Sequence, residues 1–208
     1  MPKFKIPTRR LLASLLLLTS AATAAQADVT LSPAFGDHMV IQQGMEAPIW
    51  GNANPGEEVS IQFAGHERKT VADAQGKWMI RLPVLKAEPN QTGQSMTITG
   101  KNAITLNDIL IGEVWVCSGQ SNMQWQLLSS DNGKEVASKA NHPRIRILHV
   151  KTSATGEKLE DTFNGQWQVC SPESIERFSA VAYYFGREIE KEVDVPVGLI
   201  GTYLGGTI

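Results

Sequence analysis

Two hydrophobic rhythms divide the chain, and the first occupies residues 28–108. There, apolar and polar side chains alternate over short runs that are separated by turn residues, as in the segment 54–56. The clearest alternating apolar positions are Val59, Ile61 and Phe63; Trp78, Ile80 and Leu82; Met96 and Ile98; and Ile104 and Leu106. A period of two predicts strands that bury one face and expose the other. We therefore predict a small antiparallel β-sandwich over residues 28–108.

The second rhythm begins at residue 109, where apolar residues become nearly continuous. The runs 109–111 and 114–117 are typical of a strand that is covered on both faces. Further strands are predicted at 145–150 and 197–202, and the helical spacing of apolar residues predicts a helix over 174–192. Strands that alternate with a helix indicate an α/β fold with a parallel sheet over residues 109–208.

Serine and proline residues mark the expected ends of that helix. Ser171 or Ser174 could cap its start, and Pro196 lies beyond its end, where a helix cannot continue. A shorter helix is predicted at residues 122–128, directly after the first strand of the sheet.

The first 27 residues have the character of a secretory signal peptide. An apolar core, Leu11–Leu18, follows a cationic stretch, and the small residues of 25–27 predict cleavage after Ala27. The cations are Lys3, Lys5, Arg9 and Arg10. Residues 8–12 also resemble a twin-arginine signal, an alternative that implies folding before export. Either signal predicts a secreted or periplasmic bacterial protein. No later run approaches the roughly 20 apolar residues of a membrane span, so no membrane partner is expected after cleavage.

The charge of the chain excludes one class of partner. The chain has 19 Lys and Arg residues against 21 Asp and Glu residues. Cleavage after residue 27 would remove four cations and no anions, which leaves 15 cations, 21 anions and a formal charge of −6. Because such a surface repels a phosphate backbone, we expect no nucleic-acid partner. The sequence has neither a phosphate-binding loop with lysine nor zinc spacing, so we predict no cofactor and no metal. It makes no prediction of oligomeric state.

Cys117 and Cys170 are the two cysteines of the chain. In an oxidising compartment they could form a disulfide. The alternative is a pair of buried thiols, since a free cysteine packs like a small hydrophobic residue. The sequence leaves both interpretations open, because a disulfide requires a specific Cβ geometry.

Ser121 is the main candidate for chemistry, because it follows a buried strand and precedes a predicted helix. Ligands of open α/β sheets bind beyond the carboxyl ends of the strands, and a helix N-terminus there would stabilise a developing oxyanion. Gly119 allows the backbone to turn tightly at this point. The alternative is a serine that merely caps the helix. Met123 stands where the Gly-x-Ser-x-Gly elbow requires glycine, so position alone does not decide between these interpretations.

The sequence around Ser121 strongly resembles the first block of sialate O-acetylesterases and related carbohydrate acetylesterases of the SGNH hydrolase superfamily. The resemblance rests on Gly119–Met123 preceded by Gly112–Trp115. Further matching segments, in the order of the family, are 35–43, 50–56, 167–172, 178–185, 196–200 and 205–207. The likeness extends over residues 28–208. It implies part of a flavodoxin-like, three-layer α/β domain with a parallel sheet, preceded by the β-sandwich.

The resemblance also implies roles for individual residues. Ser121 would be the nucleophile, and its backbone N–H would form part of the oxyanion hole. A glycine of the second block would supply another N–H, and Gly206 is favoured over Gly205. Gln120 and Asn122 would shape the site, although plain turn-forming roles are about as well supported.

A base for the serine is not evident in this sequence. The family carries it in an Asp-x-x-His element, and none of the histidines at 38, 66, 142 and 149 has an aspartate three residues before it. We therefore expect residues 109–208 to be a truncated, N-terminal part of the esterase domain. The 208-residue chain alone is expected to have little or no esterase activity.

The leading functional hypothesis is a serine esterase that removes O-acetyl groups from a carbohydrate through an acyl-serine intermediate. The resemblance leaves open an acetylated sialic acid or an acetylated plant polysaccharide. One alternative is a non-catalytic carbohydrate-binding or adhesion protein that uses Trp50 and Trp78, although their strand positions favour a core role. Another is a lipase or thioesterase of the same superfamily.

Overall fold

The computed structural model describes residues 28–151 and 163–206, so the predicted signal peptide and Thr207 lie outside the described residues. The strands before the serine are β1 (Thr30–Leu31), β2 (Val40–Gln42), β3 (Ala47–Asn52), β4 (Glu58–Phe63), β5 (His66–Val71), β6 (Lys77–Leu82), β7 (Gln94–Thr99) and β8 (Ala103–Gly119). The elements after it are α1 (Ser121–Gln124), a 3₁₀ turn (Leu127–Ser129), α2 (Gly133–Ser138), β9 (His142–His149), β10 (Trp167–Cys170), α3 (Pro172–Ile175), α4 (Ala180–Val193) and β11 (Val197–Tyr203). No helix in these ranges is long and apolar enough to cross a membrane.

Two antiparallel sheets form the first half of the chain. One has the strand order β1-β3-β6, and the other joins β5, β4, β7 and the start of β8. The alternating apolar residues of β4, β6 and β7 point into one shared core, in which Val59, Ile61, Met96 and Ile98 are fully buried. The predicted antiparallel strands are therefore confirmed, and burial of these side chains supplies the main hydrophobic stabilisation of this half.

The two tryptophans that were both expected in this core have different positions. Trp78 is buried, in phase with Ile80. Trp50 follows the buried Ile49 and is therefore on the opposite face of β3, where 38% of its surface is exposed. Its ring packs edge-on against Phe35 with 4.6 Å between centroids. The predicted core role of Trp50 is wrong, because a residue one place out of phase in a strand points to the other face.

Strand β8 belongs to both halves of the molecule. Its first part pairs antiparallel with β7, and its second part pairs parallel with β11. Between them, Leu110–Gly112 pair with β2. The predicted domain boundary at 108/109 falls inside this 17-residue strand, at a position where Asp108 has a positive φ of 56°. The division into two domains stays a prediction, but the two halves are joined by continuous strand rather than by a linker.

The second half contains the parallel strands that the sequence predicted. In the strand order β10-β9-β11-β8, strand β11 is parallel to both neighbours, and β10 is antiparallel to β9. Helix α4 packs on this sheet over Leu199 and Val197, which are fully buried in a second core. The fold is thus a mixed α/β arrangement: one mixed sheet contains the parallel pairs and continues through β8 into β7, β4 and β5, and a separate antiparallel sheet consists of β1, β3 and β6.

The end of β8 is more exposed than the sequence predicted. Residues 109–111 are buried on both faces, but Trp115 and Val116 are 41% and 68% exposed. Strand β2 ends at Gln42, whose side-chain oxygen accepts the Val114 N–H at 2.7 Å. Among the described residues, no strand pairs with this edge of β8 beyond Gly112. The expectation that both faces of 114–117 are covered is therefore wrong.

The helix predicted over residues 174–192 is divided into α3 and α4. Ser171 caps α3 in a capping box with Ser174, as one of the two alternatives predicted. Helix α4 has its own cap, Ser179, whose hydroxyl accepts the Ala182 N–H at 3.1 Å. The break between the helices places Phe178 in the core. Pro196 follows the end of α4, as predicted.

A buried arginine joins the two halves next to Asp108 of β8. Arg146 of β9 is only 4% exposed and contacts both carboxylate oxygens of Asp108, at 2.6 and 3.2 Å. A further hydrogen bond joins this carboxylate to His38 Nδ1 at 2.7 Å. Burial raises the pKa of Asp108, but the hydrogen bonds from Arg146 and His38 outweigh it, so the pKa lies below its ordinary value. The ionised carboxylate therefore compensates a buried cation at the junction.

Substitution of Asp108 tests this junction. Asn also tolerates a positive φ, so Asp108→Asn should keep the backbone while leaving Arg146 without its counter-ion. We expect a loss of about 1–3 kcal/mol in unfolding free energy at pH 7, measured by urea denaturation, because the Asp108 side chain is 36% exposed. Because the folded-state pKa of Asp108 is lowered, its contribution exists above the unfolded pKa and is lost as the pH falls through the folded pKa, below about 4. The difference between wild type and variant should therefore shrink in acid.

Asp131→Asn is the matched control, because Asp131 is exposed in the turn before α2. It should leave the urea midpoint at pH 7 unchanged. An Asp108→Asn protein as stable as this control would contradict a stabilising role for the pair.

Both cysteines are free and buried in the second core. The structure therefore contains two buried thiols and no disulfide between Cys117 and Cys170. Burial raises the pKa of Cys117 to about 11 and that of Cys170 to about 12. At neutral pH both groups are therefore protonated and poor nucleophiles.

This arrangement predicts slow modification of both thiols. Dithionitrobenzoate at pH 8 should react with neither cysteine in the folded protein and with two thiols per chain after unfolding in urea. The measurement is the thionitrobenzoate absorbance with and without urea. No thiol released in urea, in protein purified without reductant, would indicate a disulfide and contradict the structure.

Candidate active site

Ser121 lies at the carboxyl end of β8, as the first residue of α1. It is exposed, and its hydroxyl forms no hydrogen bond within the described ranges. The residue in the cap position is Gln120, which makes no side-chain cap bond. The interpretation of Ser121 as a helix cap therefore fails, since the serine hydroxyl does not satisfy a backbone N–H of α1.

Gly119 makes the turn between β8 and Ser121. Its φ of +148° is a conformation that residues with a side chain rarely adopt. A Cβ at this position would lie 3.1 Å from the Cβ of Met123, one turn further on. Glycine at position 119 therefore allows the backbone conformation that places Ser121 directly after β8.

Helix α1 is shorter than predicted. It ends at Gln124, because Trp125 turns to an extended ψ of 115° and its carbonyl accepts the Ala180 N–H at 2.8 Å. The predicted helix over 122–128 is wrong in length: one turn is followed by the 3₁₀ turn. A four-residue helix has little macrodipole, so oxyanion stabilisation here depends on individual N–H groups.

The turn after β11 lies beside Ser121. Parallel pairing places Tyr203 opposite Gly119, so both strands end at the same edge of the sheet. A Cβ on Gly205 would be 3.6 Å from the Cα of Ser121. The structure thus brings together two segments about 80 residues apart that the resemblance assigned to one site.

The backbone N–H groups around Ser121 differ in availability. The Leu204 N–H donates to the Gly119 carbonyl at 3.1 Å, and the Gly205 N–H donates to Gln124 Oε1 at 2.7 Å. Within residues 28–151 and 163–206, the Gly206 N–H has no partner. Ser121 is the first helical residue, so its N–H has no acceptor within α1. The N–H groups of Ser121 and Gly206 are therefore among those available to a ligand.

The flanking residues Gln120 and Asn122 are also exposed at this edge. Their assigned site-shaping roles stay predictions, as do the nucleophilic role of Ser121 and the donor role of Gly206. Gln124 was not among the predicted site residues. Its spacing of three from Ser121 on a helix is a usable signal, but its partner Gly205 is 81 residues away and could not be read from the local sequence.

The four histidines, all within the described residues, make contacts elsewhere. His38 binds Asp108, and His142 Nε2 is 3.2 Å from the Tyr183 hydroxyl. His149 lies against the rings of Phe178 and Tyr203, and His66 is exposed in β5. Burial lowers the pKa of His142 and of His149, which favours their neutral forms. None of the four forms a hydrogen bond with Ser121.

Other chemistry is sparse near this edge. No group of three or more His, Cys, Asp or Glu side chains within the described part of the chain could hold a metal ion. A separate depression beside β10, bordered by His149, Phe163 and Arg177, does not include Ser121.

Tyr203 is buried below the turn, and its hydroxyl accepts the Ser179 N–H at 3.1 Å. Burial raises the pKa of Tyr203 to about 12, so it is no base at neutral pH.

Comparison with known proteins finds several relatives, although no family model matches the chain. Sialate O-acetylesterases of Pongo abelii and Homo sapiens are each 33% identical over 186 residues, which cover 81% of this chain and 36% of each relative. The sialate O-acetylesterase of Mus musculus is 28% identical over 210 aligned positions, which cover 93% of this chain and 39% of the relative. The chain thus spans somewhat more than a third of the length of these proteins.

A solved structure shows the same similarity in three dimensions. The crystal structure of a carbohydrate acetylesterase from Xanthomonas citri matches with a TM-score of 0.80 and 29% identity, over 86% of this chain and 41% of that chain. These matches confirm the resemblance that the sequence predicted: the chain is similar in sequence and fold to sialate O-acetylesterase-like proteins over most of its own length and over less than half of theirs.

Proposed function

We propose that this chain supplies the nucleophile segment of a serine esterase that removes O-acetyl groups from carbohydrates. The observation that carries the proposal is the exposed Ser121 at the end of β8, with the turn of Gly205 beside it. Proteins of similar sequence and fold are named for the removal of acetyl groups from sialic acids and other carbohydrates. The proposed substrate is therefore an O-acetylated carbohydrate.

The proposed reaction has two steps. The Ser121 oxygen attacks the acetyl carbonyl carbon, and the carbonyl oxygen becomes an oxyanion that accepts hydrogen bonds from the N–H groups of Ser121 and Gly206. Collapse of this intermediate breaks the bond to the sugar oxygen, which leaves as an alcohol after it gains a proton. Water then attacks the acetyl-serine, and acetate and free serine are formed. Loss of one oxyanion donor typically costs about 3 kcal/mol, so correct placement of the turn matters for the rate.

Both steps require a base, and the described residues provide none in contact with Ser121. A serine hydroxyl is a weak nucleophile until a base removes its proton. Water likewise needs a base to attack the acetyl-serine. We therefore expect slow acetylation and even slower deacetylation in this chain, so that an activated ester should leave acetyl groups on Ser121.

The proposal predicts acetylation at one position. After incubation with p-nitrophenyl acetate at pH 8 and proteolysis, mass spectrometry should find the mass of one acetyl group on Ser121. Acetylation there should exceed that of other exposed serines by about tenfold or more, because two N–H donors stabilise its oxyanion. Steady-state release of p-nitrophenol should remain low.

Two variants are the controls for this experiment. Ser121→Ala should abolish acetylation of the peptide, whereas Ser118→Ala, three residues earlier on the same exposed strand end, should preserve it. Equal acetylation of Ser118 and Ser121 would contradict a special role for Ser121. Turnover near the rate of a full-length relative would contradict the expected lack of a base.

A second candidate function is carbohydrate binding without catalysis. It is favoured by the exposure of Trp50, which packs with Phe35 on the outer face of β3 and could stack on a sugar ring. Sugar binding that is lost in Trp50→Ala, together with no acetylation of Ser121, would support this function over the esterase.

A further inference from the structure

The side chain of Gln124 connects two segments that meet at Ser121. Its carbonyl oxygen accepts the Gly205 N–H at 2.7 Å, and its own backbone N–H donates to the Gln120 carbonyl at 2.9 Å. One residue is therefore bonded to the chain just before Ser121 and to the turn beside it. A hydrogen bond of this length and type fixes the distance between α1 and the turn.

The same bond decides which N–H of the turn can meet a ligand. The uncharged amide oxygen of Gln124 accepts the hydrogen bond of the Gly205 N–H. An ester oxygen could bind this N–H only by displacing the Gln124 oxygen. Gly206 has a φ of +82°, and a Cβ built on it would meet nothing within 4 Å. The space beside Gly206 is thus open, and its N–H has no partner among the described residues.

From this geometry we propose that Gln124 is a positioning residue of the esterase site. By holding the Gly205 N–H, it fixes the turn Leu204–Gly206 against Ser121 and leaves the Gly206 N–H as the second oxyanion donor. The inference rests on the proposed function, because it assigns a role relative to the acyl-serine reaction. Gln124 acts through the turn and does not touch the reacting atoms.

If Gln124 instead blocked the oxyanion site, its removal would change the acetylation rate in the opposite direction. If the Gln124 oxygen occupied the place of the oxyanion at Gly205, its removal would free a donor and speed acetylation. If Gln124 positions the turn, its removal lets the turn move and slows acetylation. The direction of the change in rate therefore separates the two roles.

Gln124→Met tests the proposal, since methionine has a similar length and no amide. In the 208-residue protein with p-nitrophenyl acetate, we expect the maximal rate of Ser121 acetylation to fall about tenfold, because the turn still forms but is less well placed. The ester concentration at half-maximal rate should stay unchanged, because in the proposed role Gln124 holds the turn and does not bind the ester. Hydrogen exchange of the Gly205 amide, measured by NMR, should become at least about tenfold faster.

Two further variants keep the test specific. Gln126→Met changes an exposed glutamine two residues later and should alter neither rate nor exchange. Gln124→Glu keeps an acceptor for the Gly205 N–H, so this amide should stay protected, while the carboxylate should lower the acetylation rate by repelling the oxyanion.

The outcomes that overturn the inference are distinct. Faster acetylation in Gln124→Met would show a blocking role, and unchanged rate and exchange would show no role. Loss of Gly205 protection in Gln124→Glu would contradict the hydrogen bond as its cause. If wild-type Ser121 is acetylated normally, these results refute the positioning role alone. If wild-type Ser121 is never acetylated, the proposed function fails and the positioning role fails with it.

Discussion

The parallel pairing of β11 with β8 is the interaction on which the candidate site depends. Seven successive residue pairs, from Val197 with Glu113 to Tyr203 with Gly119, set the register of the two strands. Because side chains in a strand alternate between faces, a slip of one residue would turn Leu199 out of the core. The buried residues therefore enforce a register that ends both strands at one level. The turns that follow them, with Ser121 and Gly205, meet as a consequence.

Tertiary contacts at the carboxyl ends of β8 and β11 also explain why α1 ends after one turn. Trp125 leaves the helical conformation where its carbonyl binds the Ala180 N–H, and Gln124 directs its amide to Gly205. A longer α1 would satisfy more of its own backbone but would lose these contacts. Tertiary contacts thus decide the length of a helix whose intrinsic stability is small.

The parts of the structure that could be predicted from the sequence are those with a local cause. The period-two runs of β4 and β6 gave their buried faces correctly, and the turn that presents Ser121 followed from the apolar strand and Gly119. Position in a strand alone does not place Trp50 in the core, because Trp50 is one residue out of phase with the buried Ile49. The contact between Gln124 and Gly205 has no local signal, since it joins segments that only the strand pairing brings together.

Because β8 runs without a break through both halves, evolution cannot easily exchange them as separate modules. Shuffling of modules works best when a breakpoint falls in an exposed loop with few crossing contacts. Here any cut between the sandwich and the sheet that carries Ser121 would sever a hydrogen-bonded strand next to the Arg146–Asp108 pair. The two halves should therefore be inherited together, and new specificities should arise through changes in surface loops rather than through exchange of the N-terminal half.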